Sequence, residues 1–131
     1  MRALLDTHAL LWYALNDQKL STNARDLIVD STNEIHVSPA SFWEIAIKVS
    51  IGKLALHQPF ETFIDLCLNQ YHFLLLPIAP DHTARVAQLP FPPKHKDPFD
   101  RLLVAQAIAE SMAIISDDSQ LDAYPVTRLW N

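Results

Sequence analysis

Five short apolar runs, separated by stretches of helical periodicity, constrain this chain more than any other feature. The runs fall at residues 3–5, 35–37, 73–78, 113–115 and 126–129. Residues 3–5, 73–78 and 113–115 lack the apolar–polar alternation of a strand with one wet face, and only His36 and Thr127-Arg128 interrupt the other two, so the set suits parallel strands covered on both sides. The spacing predicts helices over residues 7–15, 22–30, 39–50, 60–70, 80–88 and 98–112. Strand–helix alternation implies an α/β fold, a three-layer α/β/α sandwich around a central, mainly parallel sheet with right-handed crossovers. No repeat, low-complexity tract or linker interrupts the 131 residues, so residues 1–131 are read as a single domain.

Two helix starts are well punctuated. Ser38-Pro39 and Asp97-Pro98 each place a capping side chain before a proline, which the first helical position favours. In the helix from Pro39, Phe42, Ile45, Ala46 and Val49 form an apolar stripe, while Glu44 and Lys48 share another face. Residues 102–109 are apolar nearly all round, as expected of a buried central helix. Open sheets of this kind bind ligands beyond the carboxyl ends of their strands.

Several function classes fall away at once. Gly52 is the only glycine, whereas dinucleotide fingerprints and phosphate-binding P-loops need two or three in one turn. Cys67 is the only cysteine, so neither an internal disulfide nor a Cys-x-x-Cys metal or redox site can form. No His-Glu-x-x-His exists among the six histidines. The longest apolar run, around residues 73–79, is far short of a membrane span of about 20 residues. Asp6 and His8 break any signal-peptide core after Arg2. A soluble, cytoplasmic protein with no membrane partner is expected. With 15 acidic against 10 basic residues, the net charge of −5 argues against nucleic acid as a partner. An average charge, however, does not locate the carboxylates.

They concentrate at predicted strand ends. Asp6 closes the first strand, and Asp117 and Asp118 follow the fourth with Ser116 between. Asp97 and Asp100 open the central helix, and Glu44 stands in the second turn of the helix after the second strand. Each has an ordinary structural explanation: Asp97 as an N-cap, Asp100 at a dipole-favoured third position, Asp6 and Asp118 in turns, Glu44 paired to Lys48. Jointly, four carboxylates at one mouth without matching cations would repel one another. Hard divalent cations such as Mg²⁺ or Mn²⁺ resolve that repulsion and can bridge carboxylates to substrate phosphates. The residues alone therefore point to a metal-dependent phosphoryl-transfer site.

At these positions the sequence resembles the PIN-domain nucleases, and among them the VapC-type toxins of bacterial toxin–antitoxin pairs. The resemblance is carried by LLDTHALLW (residues 4–12), SPASFWEIAIKVSIGKL (38–54), HKDPFDRLLVAQA (95–107) and ISDDSQLDAY (115–124), in the family's order and over nearly the whole chain. The family's four acids map onto Asp6, Glu44, Asp100 and, by the pattern of a hydroxyl residue, any residue, then Asp, onto Asp118. Asp117 is then the variable residue and Ser116 the supporting hydroxyl. The resemblance implies a PIN-like α/β/α fold and Mg²⁺- or Mn²⁺-dependent endoribonuclease activity on an RNA substrate. It further implies a homodimer and a cognate antitoxin whose C-terminal segment wraps the toxin and blocks the acidic pocket, often with a basic residue.

The expected roles follow. Asp6, Asp100 and Asp118 are metal ligands, and Glu44 is a ligand or a group that orients water. Arg101 and Lys96, with Lys94 beside them, are candidate phosphate contacts, Arg101 foremost because its planar fork suits phosphate; Ser116 completes the substrate side. His8 and His95 lack ligand partners of their own and are read as structural. Trp12, Trp43 and Phe99, which could stack on bases, are read as core or dimer packing, and Cys67 as a small core residue. Two other classes compete: a receiver-like signalling domain and a catalytically silent PIN-like binding module. The receiver reading lacks a phosphorylatable Asp, because its third strand would end at Pro77-Ile78-Ala79.

Overall fold

The computed structural model describes residues 1–131. Strands β1 (Arg2–Leu5), β2 (Glu34–Val37), β3 (Leu74–Leu75), β4 (Ala113–Ile115) and β5 (Arg128–Leu129) form one sheet in the order β3-β2-β1-β4-β5. Every neighbouring pair is parallel. The helices are α1 (Thr7–Ala14), α2 (Thr22–Val29), α3 (Pro39–Ser50), α4 (Phe60–Asp65), α5 (Pro80–Gln88) and α6 (Pro98–Ala109). No helix is long and apolar enough to cross a membrane.

The two faces of β1 divide the core. Ala3 and Leu5 point into one cluster with Leu10 of α1, Ile28 of α2, Phe42 and Ile45 of α3 and Phe63 of α4. Leu4 points the other way, into a cluster with Leu103, Val104 and Ala107 of α6 and with Ile114 of β4. This period-two partition is why β1 and β4 are apolar throughout: both faces are covered. The resulting layers are the α/β/α sandwich expected from the sequence. Cys67 is buried in the first cluster, and burial pushes its thiol up to about 12.

The third run departs from expectation. Only Leu74 and Leu75 pair as a strand, against His36 and Val37 at the sheet edge, and both are 45% exposed. Pro77 has no N–H to continue the ladder. The fourth helix is also shorter than its periodicity predicts, passing into a π-helical turn at Leu66–Gln70. At the other end of the chain only Arg128–Leu129 pair as β5, and α6 stops at Ala109.

Helix ends follow a shared device. After α1, α3 and α6 the chain turns through a left-handed residue: Asn16 (φ 53°), Gly52 (φ 75°) and Ser111 (φ 54°). Each turn closes two backbone bonds of the Schellman type, as in Gly52 N–H to Val49 O (3.2 Å) and Lys53 N–H to Lys48 O (2.9 Å). The same pair forms at Asn16 and Asp17, which donate to Tyr13 O and Trp12 O. The single glycine thus occupies one of several positions that need positive φ, and nothing lies within 4 Å of where its Cβ would be.

Candidate active site

Parallel register brings the acids together. Leu5 pairs with Ile115, and the Asp6 N–H donates to Ile115 O at 3.1 Å, so Asp6 and Ser116 leave adjacent strands side by side. The sheet changes direction between β1 and β4, where open α/β sheets place their ligand crevice. Asp6 caps α1 by accepting from the Ala9 N–H at 2.8 Å and is 5% exposed. Burial raises its carboxyl above the ordinary carboxylate value. The Ser116 hydroxyl, the Ala9 amide and His8 pull the other way, and Asp118 adds to the rise.

Asp100 arrives from the first turn of α6. Asp97 caps that helix by accepting from the Asp100 N–H at 3.0 Å. Burial, then the neighbouring Asp97, push the Asp100 carboxyl up to about 6, with Asp6 and Glu44 adding to the effect. Asp118 follows β4; its N–H donates to Ser116 Oγ at 3.0 Å, and its Oδ1 accepts from Gln120 N–H at 3.0 Å. Arg128 steadies that turn, donating to Ser116 O at 3.1 Å and forking onto Asp122. Asp117 is the more exposed of the pair. Asp6, Asp100, Asp117 and Asp118, with His8, Ser119 and Gln120, line a pocket of about 370 Å³ without a hydrophobic residue.

Glu44 lies near this mouth in the second turn of α3. Its Oε2 is 3.5 Å from Lys48 Nζ, while its Oε1 is buried with no hydrogen-bond partner. An orphaned buried carboxylate oxygen, beside acids whose charge is held back by burial, is what a divalent cation relieves. The donor set is all hard oxygen, which suits Mg²⁺-like ions rather than soft metals.

His95 is the residue the sequence reading undervalued. Only 4% exposed, it places Nε2 3.2 Å from Asp100 Oδ2 and 3.7 Å from Asp118 Oδ2. These three groups are close enough to share a cation. Its other nitrogen, Nδ1, is 2.7 Å from the Tyr124 hydroxyl, which also accepts from Arg101 at 3.1 Å. Because Nε2 faces two carboxylates, which accept, the arrangement that fits is Nε2–H donating to Asp100 with Nδ1 accepting from the Tyr124 hydroxyl. His95 in this tautomer orients Asp100 rather than offering a lone pair to metal. Its position just before the Asp-Pro-Phe-Asp segment was the available signal.

Two expected substrate contacts are turned inward. Arg101 is 7% exposed; besides Tyr124 it donates to Pro90 O at 2.8 Å and sits 4.4 Å from the Phe91 ring centre. Its fork is committed to the fold, and its reading as a phosphate contact gives way to a supporting one. Ser116 is fully buried, so its hydroxyl serves Asp6 and the Asp118 amide rather than a substrate. Lys94 and Lys96 are exposed on either side of His95 in the chain, and neither lines the acidic pocket. Trp43, 62% exposed, meets Phe99 edge-on at 5.1 Å, joining α3 to α6 at the surface. Trp12 stacks on His8 at 5.4 Å and meets Trp130 edge-on.

The sequence profile of the PIN domain matches residues 3–126. The chain belongs to the PIN-domain family. This PIN domain is 29% identical over 130 residues to Ribonuclease VapC22 of Mycobacterium tuberculosis (strain ATCC 25618 / H37Rv), covering 95% of each chain. Its fold is similar to that in a crystal structure of VapBC2 from Rickettsia felis bound to a DNA fragment from their promoter. There the TM-score is 0.73 at 16% identity, with 100% of each chain covered. DNA-bound VapBC from Salmonella typhimurium gives a TM-score of 0.68 at 11% identity, covering 98% of this PIN domain and 97% of that chain.

Proposed function

We propose that this PIN domain is a metal-dependent endoribonuclease, the toxin of a toxin–antitoxin pair. One observation carries the reading: Asp6, Asp100 and Asp118 meet at the switch point of the sheet in a pocket lined by no lysine or arginine, and Glu44, paired only to Lys48, adds its charge beside them. The relative named a ribonuclease and the VapBC complexes of like fold support it.

In this reading Asp6, Asp100 and Asp118 hold one or two Mg²⁺ or Mn²⁺ ions, and Glu44 orients the attacking water or joins them. Bound metal would supply a Lewis acid and an activated water for hydrolysis of an RNA phosphodiester. The protein's part is positional. Asp6 is held by the α1 amide at Ala9, Asp100 by His95, and Asp118 by the turn that Arg128 clamps. Fixed in this way, the carboxylates need little reorganisation when the site is filled. An acidic mouth also suits neutralisation by an antitoxin that inserts a basic residue, and the protein is proposed to act as a homodimer in the cytoplasm.

The test is cleavage of RNA with Mg²⁺ or Mn²⁺, with EDTA, and with Asp6→Asn. Metal-dependent cutting that EDTA and Asp6→Asn both abolish supports the enzyme. Equal cutting by a folded Asp6→Asn protein sinks the site assignment, and no cutting under any divalent ion favours a silent binding module.

A further inference from the structure

Beside the acidic pocket runs a second groove of about 330 Å³, and His8 lines both. Its polar rim carries Lys19, Lys48 and Lys53, and Trp12 forms part of its wall. Three of the chain's five lysines therefore meet in one groove of a protein whose net charge is −5.

The lysines reach it from separate elements. Lys48 is in the last turn of α3, and Lys53 follows the left-handed turn at Gly52 that ends the same helix. Lys19 follows the corresponding turn at Asn16 after α1 and holds its ammonium 6.0 Å from the Trp12 ring centre. Lys19 and Lys53 are exposed, with no carboxylate in ion-pair contact. Lys48 is 3.5 Å from Glu44, so its charge ties the groove to the acids. Asp17 is the one acid in the groove, and its Oδ1 accepts from the Lys19 backbone N–H at 2.9 Å. Above this floor the His8 and Trp12 rings lie nearly parallel, 13° apart, with His8 exposed.

We propose that this groove is the track for the single-stranded RNA flanking the cleaved bond. Lys19, Lys48 and Lys53 meet consecutive phosphates, and the His8–Trp12 stack receives a base. The proposal rests on the ribonuclease reading of the adjoining pocket and gives that reading a substrate path. Three properties select the occupant. Ammonium groups act as point charges that grip a phosphate backbone without reading sequence. Aromatic planes accept any unpaired base. The groove adjoins the acidic pocket at His8, which lines both, so a strand lying along the lysines is placed to deliver its next phosphate to the acids. A basic peptide, which the acidic pocket attracts, is repelled here; a polyanion has the opposite preference.

The experiment measures binding apart from cleavage. Full-length Asp6→Asn protein is titrated with a short fluorescein-labelled single-stranded RNA of mixed sequence, by fluorescence anisotropy over a range of salt. Lys19→Gln with Lys53→Gln should weaken binding roughly tenfold or more and flatten the logarithmic salt slope by about 0.7 per lysine lost. The more drastic Lys53→Glu should do so alone. Lys94→Gln with Lys96→Gln serves as the comparison, with the smaller effect expected. An unchanged slope in the Lys19/Lys53 variant, with circular dichroism showing it folded, overturns the proposal. So does a variant that binds RNA normally but loses a protein partner, which would make the groove a protein-docking face. Groove-dependent binding without wild-type cleavage would leave the track standing and remove the nuclease reading, so the two can fail separately.

Discussion

The acidic pocket and the lysine groove share His8, yet they are built in opposite ways. Pocket charges are short side chains held in place by hydrogen bonds: Asp6 and Asp118 by the backbone amides of Ala9 and Gln120, Asp100 by the His95 side chain. Groove charges are long, mostly exposed side chains around the ends of α1 and α3. The pocket accepts partial burial of like charge, and burial raises the Asp6 and Asp100 carboxyls as a result. The groove leaves its ammonium groups in water. The contrast separates two tasks: a site that fixes atoms must restrict its charges, whereas a surface that guides a flexible polyanion can leave them free.

The largest expected effect breaks the two regions apart. Asp6→Asn or Asp100→Asn should lower cleavage by two orders of magnitude or more, on the order of losing one preorganised electrostatic group. Anisotropy should show RNA still bound in the groove. Comparable loss of binding and cleavage would mean that the regions act as one.

Next comes Tyr124→Phe, which deletes the hydroxyl between Arg101 and His95. With His95 no longer fixed, Mn²⁺ affinity should fall roughly 10- to 100-fold, as when a hydrogen bond supporting a metal ligand is removed. Calorimetric titration with Mn²⁺ checks this, and nitrogen NMR of His95 should show its Nδ1–H/Nε2–H preference relaxing. RNA affinity in EDTA should not move.

Acid should act on the pocket through Asp100. The Asp100 carboxyl sits at about 6, so it ionises above that pH and holds a proton below it. Divalent-ion affinity should then fall roughly tenfold per pH unit as pH drops below about 6. The linked effect on the metal-free fold has the opposite sense. A carboxyl raised by the folded state binds its proton more tightly there, so it costs stability as pH rises from 4 through 6. Asp100→Asn should therefore stabilise the metal-free protein at pH 8 by on the order of 1 kcal/mol after solvent screening, seen as a higher melting temperature. A lower melting temperature would contradict the burial argument.

The smallest effect belongs to the groove. Gly52→Ala places a Cβ in open space but on a left-handed backbone, so it should cost roughly 1 kcal/mol without a clash. Through Lys53 it should weaken RNA binding only a fewfold. Thermal melting and anisotropy on one preparation measure both.

The same contrast explains what could be read beforehand. β1 and β4 were legible because both faces are buried, which writes an unbroken apolar run into the sequence. Asp6, Asp100 and Asp118 stood at strand or helix ends, so parallel pairing alone suggested their meeting. The third strand was overdrawn, since pairing is decided by distant residues and an exposed edge such as Leu74–Leu75 has the same apolar letters as a core strand. Arg101 was misread for a related reason: local sequence reveals the fork but not Pro90, Phe91 and Tyr124 closing around it. The groove was illegible, because Lys19 lies far along the chain from Lys48 and Lys53 and only the packing of α1 beside α3 makes them neighbours. That packing includes the Thr7 hydroxyl donating to Ser41 Oγ at 3.1 Å.

The His8–Trp12 stack carries one more consequence. A tryptophan against an imidazole at the junction of the two regions is a built-in optical probe, its emission sensitive to whatever changes the ring above it. With Trp43→Phe removing the exposed indole, metal filling the pocket and a base entering the groove should each perturb the remaining signal. The order in which substrate and cation arrive can then be followed by stopped flow on unlabelled protein.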